Sequence, residues 1–314
     1  MEGEELAQSV WKGSPYDGAV STTAEIRVER PSESRRGLGR GVLLAMTGAV
    51  SNQFGAATGA LAFPAIGPVG VVAIRQLITA AVLVPVGRPR FRGMGWSQWW
   101  PVLLLGVVFG IMNITVYTTI DRLGLGLAIT LEFLGPLAIV IFASRRGIDL
   151  LGGILAAIGV VVLVNPGPTT DLLGVATGLV SAASWASYVL LNRQIGRRLP
   201  GLRGAGAASL VSAVMWIPIA VWWFTAHPPP LWAIAFAVVC ALLSSVIPFT
   251  VDMAALRLLP AGLFSTLQSM HPVWAAVVGL IVLHQVLVLQ EWIGIALVVF
   301  SNVLVTSTSM RRTA

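Results

Sequence analysis

A single carboxylate stands in the middle of an otherwise apolar run, and a proline follows it at helical spacing. Glu132 lies in Leu127-Ala128-Ile129-Thr130-Leu131-Glu132-Phe133-Leu134-Gly135-Pro136. An ionisable side chain in hydrocarbon costs roughly 2.5–3.5 kcal/mol on insertion scales, so it faces a wet cavity or a partner. Pro136 has no N–H to give to the carbonyl four residues before it, which is that of Glu132. A carboxylate and an open carbonyl therefore share one level of the chain. The arrangement returns in Thr266-Leu267-Gln268-Ser269-Met270-His271-Pro272, where Pro272 opens the Gln268 carbonyl beside His271. Pro248 does the same for Ser244. Open carbonyls at membrane depth persist only when buried in protein or lining an aqueous cavity.

Other polar groups interrupt neighbouring apolar runs. Arg75 stays charged at any ordinary pH. It is a candidate ion-pair partner for Glu132 and equally a candidate receptor for a solute carboxylate. Glu132 is then either half of a structural pair, an acceptor for a solute ammonium, or a proton carrier. His271 has an unperturbed pKa near 6.5 and is read either as a titrating group or as a neutral ring bonded to a nearby carbonyl. Asn113 and Tyr117 are four residues apart on one helical face, and Ser181, Ser184 and Tyr188 share another with Trp185 beside them. Ser51, Asn52, Gln53 and Thr58 polarise the first apolar run. The candidate solute-binding set is Glu132, Arg75, Asn113, Tyr117, Gln268, His271, Gln53, Trp185 and Tyr188. No catalytic residue, metal site or cofactor is expected.

The elements that carry these residues are long and apolar. Of 314 residues, 56% are hydrophobic and 11% charged, against roughly 25% charged in a soluble domain. Ten apolar segments follow one another, at about 41–63, 68–86, 97–118, 123–143, 148–165, 172–192, 205–225, 231–251, 261–284 and 290–308. About 20 residues cross a hydrocarbon core as a helix, and the unbroken apolar runs exclude the alternation of a barrel. The second and fifth segments are short. The reading is an all-α integral membrane protein of ten transmembrane helices, lying in the plasma (inner) membrane. Residues 1–40 read as a disordered cytoplasmic tail, being polar and mixed in charge.

Arginine placement sets the orientation. With the N-terminus in the cytoplasm, the inner loops hold Arg88, Arg90, Arg92, Arg145, Arg146, Arg193, Arg197, Arg198, Arg203, Arg257, Arg311 and Arg312, and the outer loops only Arg122. Both termini are therefore expected inside. Phe63-Pro64-Ala65-Ile66-Gly67-Pro68 reads as an outer turn. Trp96, Trp99 and Trp100 read as an inner aromatic belt, and Trp222, Trp223 and Trp232 as an outer one. The net charge of +7 is spread between apolar runs and does not form the single basic face of a nucleic-acid binder.

The loop at 165–171 divides the segments five and five, so equivalent helices of the two halves, 41–166 and 171–309, would run in opposite directions. Thr130-Leu131-Glu132 with Pro136 matches Thr266-Leu267-Gln268 with Pro272 at one fixed offset. Inverted repeats place a solute site near the bilayer midplane, between discontinuous helices. The Gly55–Gly59, Gly106–Gly110 and Gly174–Gly178 spacings read as close helix packing. Cys240 reads as a small core residue. The sequence has no phosphate-binding Gly-rich Lys motif, no His-Glu-x-x-His and no Gly-x-Ser-x-Gly. The driving force is then exchange, proton coupling or the solute's own gradient.

Residues 127–138 followed by Ser144-Arg145-Arg146 resemble the drug/metabolite transporter superfamily, more narrowly its EamA-type exporters and their threonine/homoserine exporter group. Gly110–Asn113 with Tyr117, Pro248–Asp252, Leu259-Pro260, Phe264-Ser265-Thr266-Leu267 and Ser269-Met270-His271-Pro272 extend the likeness over about 41–308. It implies a ten-helix inverted-repeat exporter of amino acids or related metabolites. The chain departs from the group at His271 and at His284-Gln285, where the group carries carboxylates. The expected partners are a small-molecule substrate and the lipid bilayer, with proton coupling an option and the protein a monomer or homodimer. Alternatives are a carrier of a purine, sugar derivative or drug-like cation, a non-transporting sensor or assembly partner, and an intramembrane enzyme.

Overall fold

Backbone polar groups in an apolar run must be satisfied within the run, and among the described residues every regular element is helical. The computed structural model describes residues 35–89, 91–143, 147–165, 171–196, 198–199 and 202–310. The tail to residue 34, Arg90, Ser144-Arg145-Arg146, 166–170, Arg197 and Arg311-Arg312 lie outside them. The chain divides into Met1–Leu38 and Gly39–Ala314.

The helices are α1 (Arg35–Ala60), α2 (Phe63–Gly87), α3 (Trp96–Leu123), α4 (Leu125–Glu132), α5 (Leu134–Ala143), α6 (Gly147–Val164) and α7 (Leu172–Gly196). After them come α8 (Arg203–Ala226), α9 (Leu231–Ala241), a π turn at Leu242–Val246, α10 (Ile247–Ala255), α11 (Ala261–Gln268), α12 (His271–Leu283) and α13 (Leu289–Met310). Seven helices are long and apolar enough to cross a membrane, counting α9–α10 as one and Thr266–Leu283 as one. Leu125–Ile139 and Leu150–Val164 are shorter apolar stretches. The middle of α1 carries Ser51-Asn52-Gln53, which lowers its hydropathy.

One expectation is refined: the stretch read as a turn opens with a helical turn and breaks at Gly67, beyond which the second segment continues as a helix over 68–87. Proline near the start of a helix lacks an N–H that would be unpaired there anyway, so Phe63-Pro64 starts a helix. The chain kinks instead at Gly67 (φ 63°, ψ 174°), a left-handed setting that glycine adopts without strain. The kink leaves the Ile66 carbonyl open, and Trp223 Nε1 donates to it at 2.8 Å. Trp223 thus turns inward, while Trp222 and Trp232 stay exposed as a belt would.

The largest helix contacts are α3 on α7, α2 on α8 and α6 on α13, followed by α3 on α8 and then α4 on α12. Lipid offers helices no hydrophobic incentive to associate, so small residues that admit close contact decide the packing. At Gly174 a Cβ would meet Leu123, and at Gly106 it would meet Val211. At Gly59 it would meet Cys240 and Tyr117. The main core joins Ile66, Val71, Tyr117, Leu125, Ala128, Trp216, Ala237 and Cys240. Leu231, Leu289 and Trp222 lie on the outside, 82%, 77% and 68% exposed, as lipid-facing side chains do.

Two apolar stretches are broken in the same manner. α4 stops at Glu132 and α5 resumes at Leu134, while α11 stops at Gln268 and α12 resumes at His271. Pro136 and Pro272 supply the reason, each lacking the N–H that would continue the ladder. A third interruption is the π turn. Ile247 N–H bonds the Leu242 carbonyl five residues back, and Pro248 has no N–H. The Leu243 carbonyl instead accepts from Ser51 Oγ of α1 at 2.9 Å. Ser244, whose carbonyl Pro248 is expected to open, donates its hydroxyl to the Asn52 carbonyl at 3.2 Å.

Candidate functional site

The breaks and the π turn surround a cavity of about 690 Å³. Glu132, Arg75, Asn113, Tyr117, Gln268, His271, Gln53, Trp185 and Tyr188 all line it. They come from α1, α2, α3, α4, α7, α11 and α12, so only tertiary packing brings them together. Sites of this size enclose a small solute, with a few polar groups fixing its orientation.

Glu132 sits at the end of α4. Its Oε1 accepts from Ser181 Oγ of α7 at 2.8 Å. The approach of the two elements depends on Gly135, where a Cβ would lie 3.0 Å from the Ala182 carbonyl carbon and nearer still to its oxygen. Phe133 turns an edge to Trp185, with centroids 4.5 Å apart at 83°, and lies 5.4 Å from the His271 ring.

Arg75 stacks its guanidinium on Tyr117, 5.3 Å from the ring centroid. Its Nε is buried without a hydrogen-bond partner. Tyr117 bonds Cys240 Sγ at 2.9 Å. Arg75 and Glu132 form no ion pair; among the described residues the ion pair is Arg122–Asp171 at 2.9 Å. The structural pairing expected as one reading of Glu132 is therefore not formed. Asn113 donates to the Phe109 carbonyl one turn back at 2.8 Å, and Phe109 faces Tyr188 at 6.0 Å.

A second polar side is a chain of four side chains. Gln53 Nε2 meets His271 Nδ1 at 3.0 Å, His271 Nε2 meets Gln268 Oε1 at 3.1 Å, and Gln268 Nε2 donates to Asp252 Oδ2 at 3.5 Å. An ionised carboxylate only accepts, so it fixes the direction of the whole chain. Gln268 gives its N–H to Asp252, His271 gives Nε2–H to Gln268, and Gln53 gives an N–H to Nδ1. His271 is then the neutral Nε2–H tautomer.

Asp252 was missed in the sequence because it ends its apolar run. The signal lay in spacing: Ser244, Pro248 and Asp252 recur every four residues, one face of a helix, and all three line the cavity. Asn52, Thr79 and Asn302 also line it and were not in the candidate set. Thr58 bonds its own turn at Phe54. Among the described residues no three His, Cys, Asp or Glu side chains gather as metal ligands would.

Outside the spans, Asp171 caps α7. Its Oδ1 accepts from Gly174 N–H at 2.9 Å, and Arg122 lies against the same carboxylate. The Gly174 N–H first, with Arg122 adding to it, holds the Asp171 carboxyl below the usual range for aspartate.

Comparison with known proteins agrees with this architecture. The EamA-like transporter family matches residues 172–307. The threonine/homoserine exporter RhtA of Salmonella typhimurium strain LT2 is 34% identical over 256 residues, 78% of this chain and 83% of that one. RhtA of Escherichia coli strain K12 is 33% identical over 256 residues, covering 78% and 84%. The uncharacterized transporter YvbV of Bacillus subtilis strain 168 is 26% identical over 263 residues, covering 79% and 85%. One crystal structure superimposes with a TM-score of 0.58 over 87% of this chain and 99% of that one, at 21% identity, a likeness of fold alone. The chain is a multi-pass membrane protein, and it belongs to the EamA-like transporter family.

Proposed function

We propose that the chain is a secondary exporter that carries an amino acid or a close relative out of the cell by alternating access. The observation that carries this is one cavity holding an unpaired arginine and a separate carboxylate. Arg75 would take the solute carboxylate and Glu132 its ammonium, with Asn113, Tyr117, Tyr188, Trp185, Gln53, Gln268 and His271 shaping the space between. Relatives named as threonine/homoserine exporters support the solute class.

The architecture that suits this is ten spans in two inverted halves, 41–166 and 171–309. Counted so, α4–α5 is span four and α11–α12 span nine. Leu125–Glu132 and Ala261–Gln268 are half-helices of 8 residues each, and they begin and end at the same offset in the two halves. The α2–α8, α4–α12 and α6–α13 contacts each join one span to the span five further on, as packing close to a two-fold axis in the membrane plane would give. Both supports favour the inverted repeat.

With both termini in the cytoplasm of a cell's plasma membrane, most of the cavity lining comes from the middle and cytoplasmic halves of the spans, as Leu83 of α2, Asp252 of α10, Phe264 of α11 and Val305 of α13 do, while Val116, Tyr117 and Ile120 of α3 reach into the outer half. The main core packs around this outer end, sharing Val116, Tyr117 and Ile120 with the cavity wall. The conformation is then the one that loads from the cytoplasm. Exchange or the solute's own outward gradient would power it.

The test is flux in proteoliposomes loaded with labelled threonine, homoserine and a panel of other amino acids. Glu132→Gln, reconstituted to the same level with an unchanged unfolding midpoint, should lose transport. Undiminished flux in that variant refutes the assignment.

A further inference from the structure

Three charged side chains line the cavity, one cation and two anions: Arg75, Glu132 and Asp252. None of them forms an ion pair with another among the described residues. A zwitterionic amino acid matches Arg75 with its carboxylate and Glu132 with its ammonium. Asp252 is left over.

Its surroundings do not neutralise it. From α1 it faces Gly48, whose missing side chain makes room for its carboxylate. From α11 it faces Gln268, with a bond of 3.5 Å that is long for a charge-assisted contact. His271 lies one bond further along. Asp252 Oδ1 is buried and has no hydrogen-bond partner. The same holds at the far end of the chain, where Gln53, 0% exposed, leaves Oε1 buried and unpartnered. Both ends of the Asp252–Gln268–His271–Gln53 chain are therefore acceptors waiting for a donor. Buried polar groups in folded proteins are satisfied almost without exception. A solute N–H or O–H would satisfy either acceptor, and at Asp252 a positive charge would make the stronger bond.

We propose that Asp252 is a second cation-accepting position, so that the loaded cavity holds one solute carboxylate and two positive charges. This rests on the exporter reading of the same cavity. The second charge has two sources. It is a second ammonium on the solute, as in a diamino acid such as lysine or ornithine, or it is a proton that travels with a neutral amino acid. In either case Asp252 neutralises it, and Gln268 holds the carboxylate in place through the neutral His271.

The experiment uses the full chain in proteoliposomes, with labelled threonine, lysine and ornithine, with and without an imposed pH gradient. The variants are Asp252→Asn and Asp252→Glu. In the solute arm, wild type carries lysine or ornithine at least tenfold faster than threonine, and Asp252→Asn lowers lysine or ornithine flux at least tenfold more than it lowers threonine flux. In the proton arm, wild-type threonine flux responds to the pH gradient, and Asp252→Asn abolishes the response. Asp252→Glu retains wild-type behaviour in both. Should Asp252→Asn fail to fold, the charge moved per solute by wild type is read electrically. One positive charge per lysine, or per threonine with a proton, supports the proposal. Electroneutral threonine flux with no transport of diamino acids overturns it. An Asp252→Asn protein that matches wild type in solute preference and in pH response also overturns it, leaving the exporter reading intact. Absence of flux for every amino acid in wild type overturns both.

Discussion

Replacing Gly135 by alanine tests whether packing between α5 and α7 sets the geometry of Glu132. The added Cβ would sit 3.0 Å from the Ala182 carbonyl carbon and 3.2 Å from the Ala186 nitrogen. Carbon atoms rest at about 3.5–4.0 Å from one another, and the Ala182 oxygen lies closer still to the new Cβ, so the two helices must part by roughly 1 Å. These are backbone atoms, and no side-chain rotation relieves them. Ser181 precedes Ala182, so the same movement stretches its 2.8 Å bond to Glu132. At about 3.8 Å that contact is no longer a hydrogen bond. A hydrogen bond to a charged group is worth about 1.5–3 kcal/mol, which is roughly a 10- to 100-fold change in an equilibrium constant. Gly135→Ala should therefore raise the half-saturating solute concentration by about that factor. Ser181→Ala should reproduce most of the effect with a smaller fall in unfolding midpoint, because it removes the bond without forcing the helices apart. Concentration-dependent flux in proteoliposomes, read beside thermal unfolding in detergent, separates the two. A Gly135→Ala protein with wild-type half-saturation and midpoint would refute the reasoning.

Three further outcomes follow from contacts elsewhere. Ser51→Ala leaves the Leu243 carbonyl without its donor and should destabilise the fold by about 1–3 kcal/mol, while Ser51→Thr should not; unfolding midpoints decide. Cys240, buried beside Tyr117, should react with a permeant maleimide only on unfolding, and a labelling rate like that of a free thiol would contradict the packing. The Asp171 carboxyl is depressed in the folded state, so its support for α7 is present above the unfolded value of about 3.9 and fades as pH falls through the lower folded value. Exchange protection at Gly174, corrected for intrinsic rates, should therefore hold from pH 7 to 5 and decline below about 4. Asp171→Asn should show no such decline.

Much of the site was legible because burying charge in hydrocarbon is costly enough to leave a mark in the sequence. Glu132 stood out against its run, and the prolines four residues beyond Glu132 and Gln268 marked where the helices break. What was not legible depended on partners distant in the chain. The opening at Leu243 needed both the π turn and a hydroxyl from α1, 192 residues away. Asp252 was hidden because a charged residue at the end of an apolar run resembles a loop residue, and only the face it shares with Ser244 gives it away. The turn expected at Phe63–Pro68 is a short helical start that breaks at Gly67, for a local reason. Proline signals a break in mid-helix and a start at a helix N-terminus, and composition alone does not say which applies.

The π turn at Leu242–Val246 makes the ninth and tenth helices a device for counting residues. A π turn holds one residue more than the α-helix it interrupts, and each residue advances the chain by about 100°. Everything after it is clocked by that surplus residue. Excising one residue there would spare every functional side chain yet rotate α10 by about a third of a turn, swinging Asp252 away from Gln268 and out of the chamber. The position of that carboxylate is thus written in the length of the chain between Cys240 and Pro248 as much as in its chemistry.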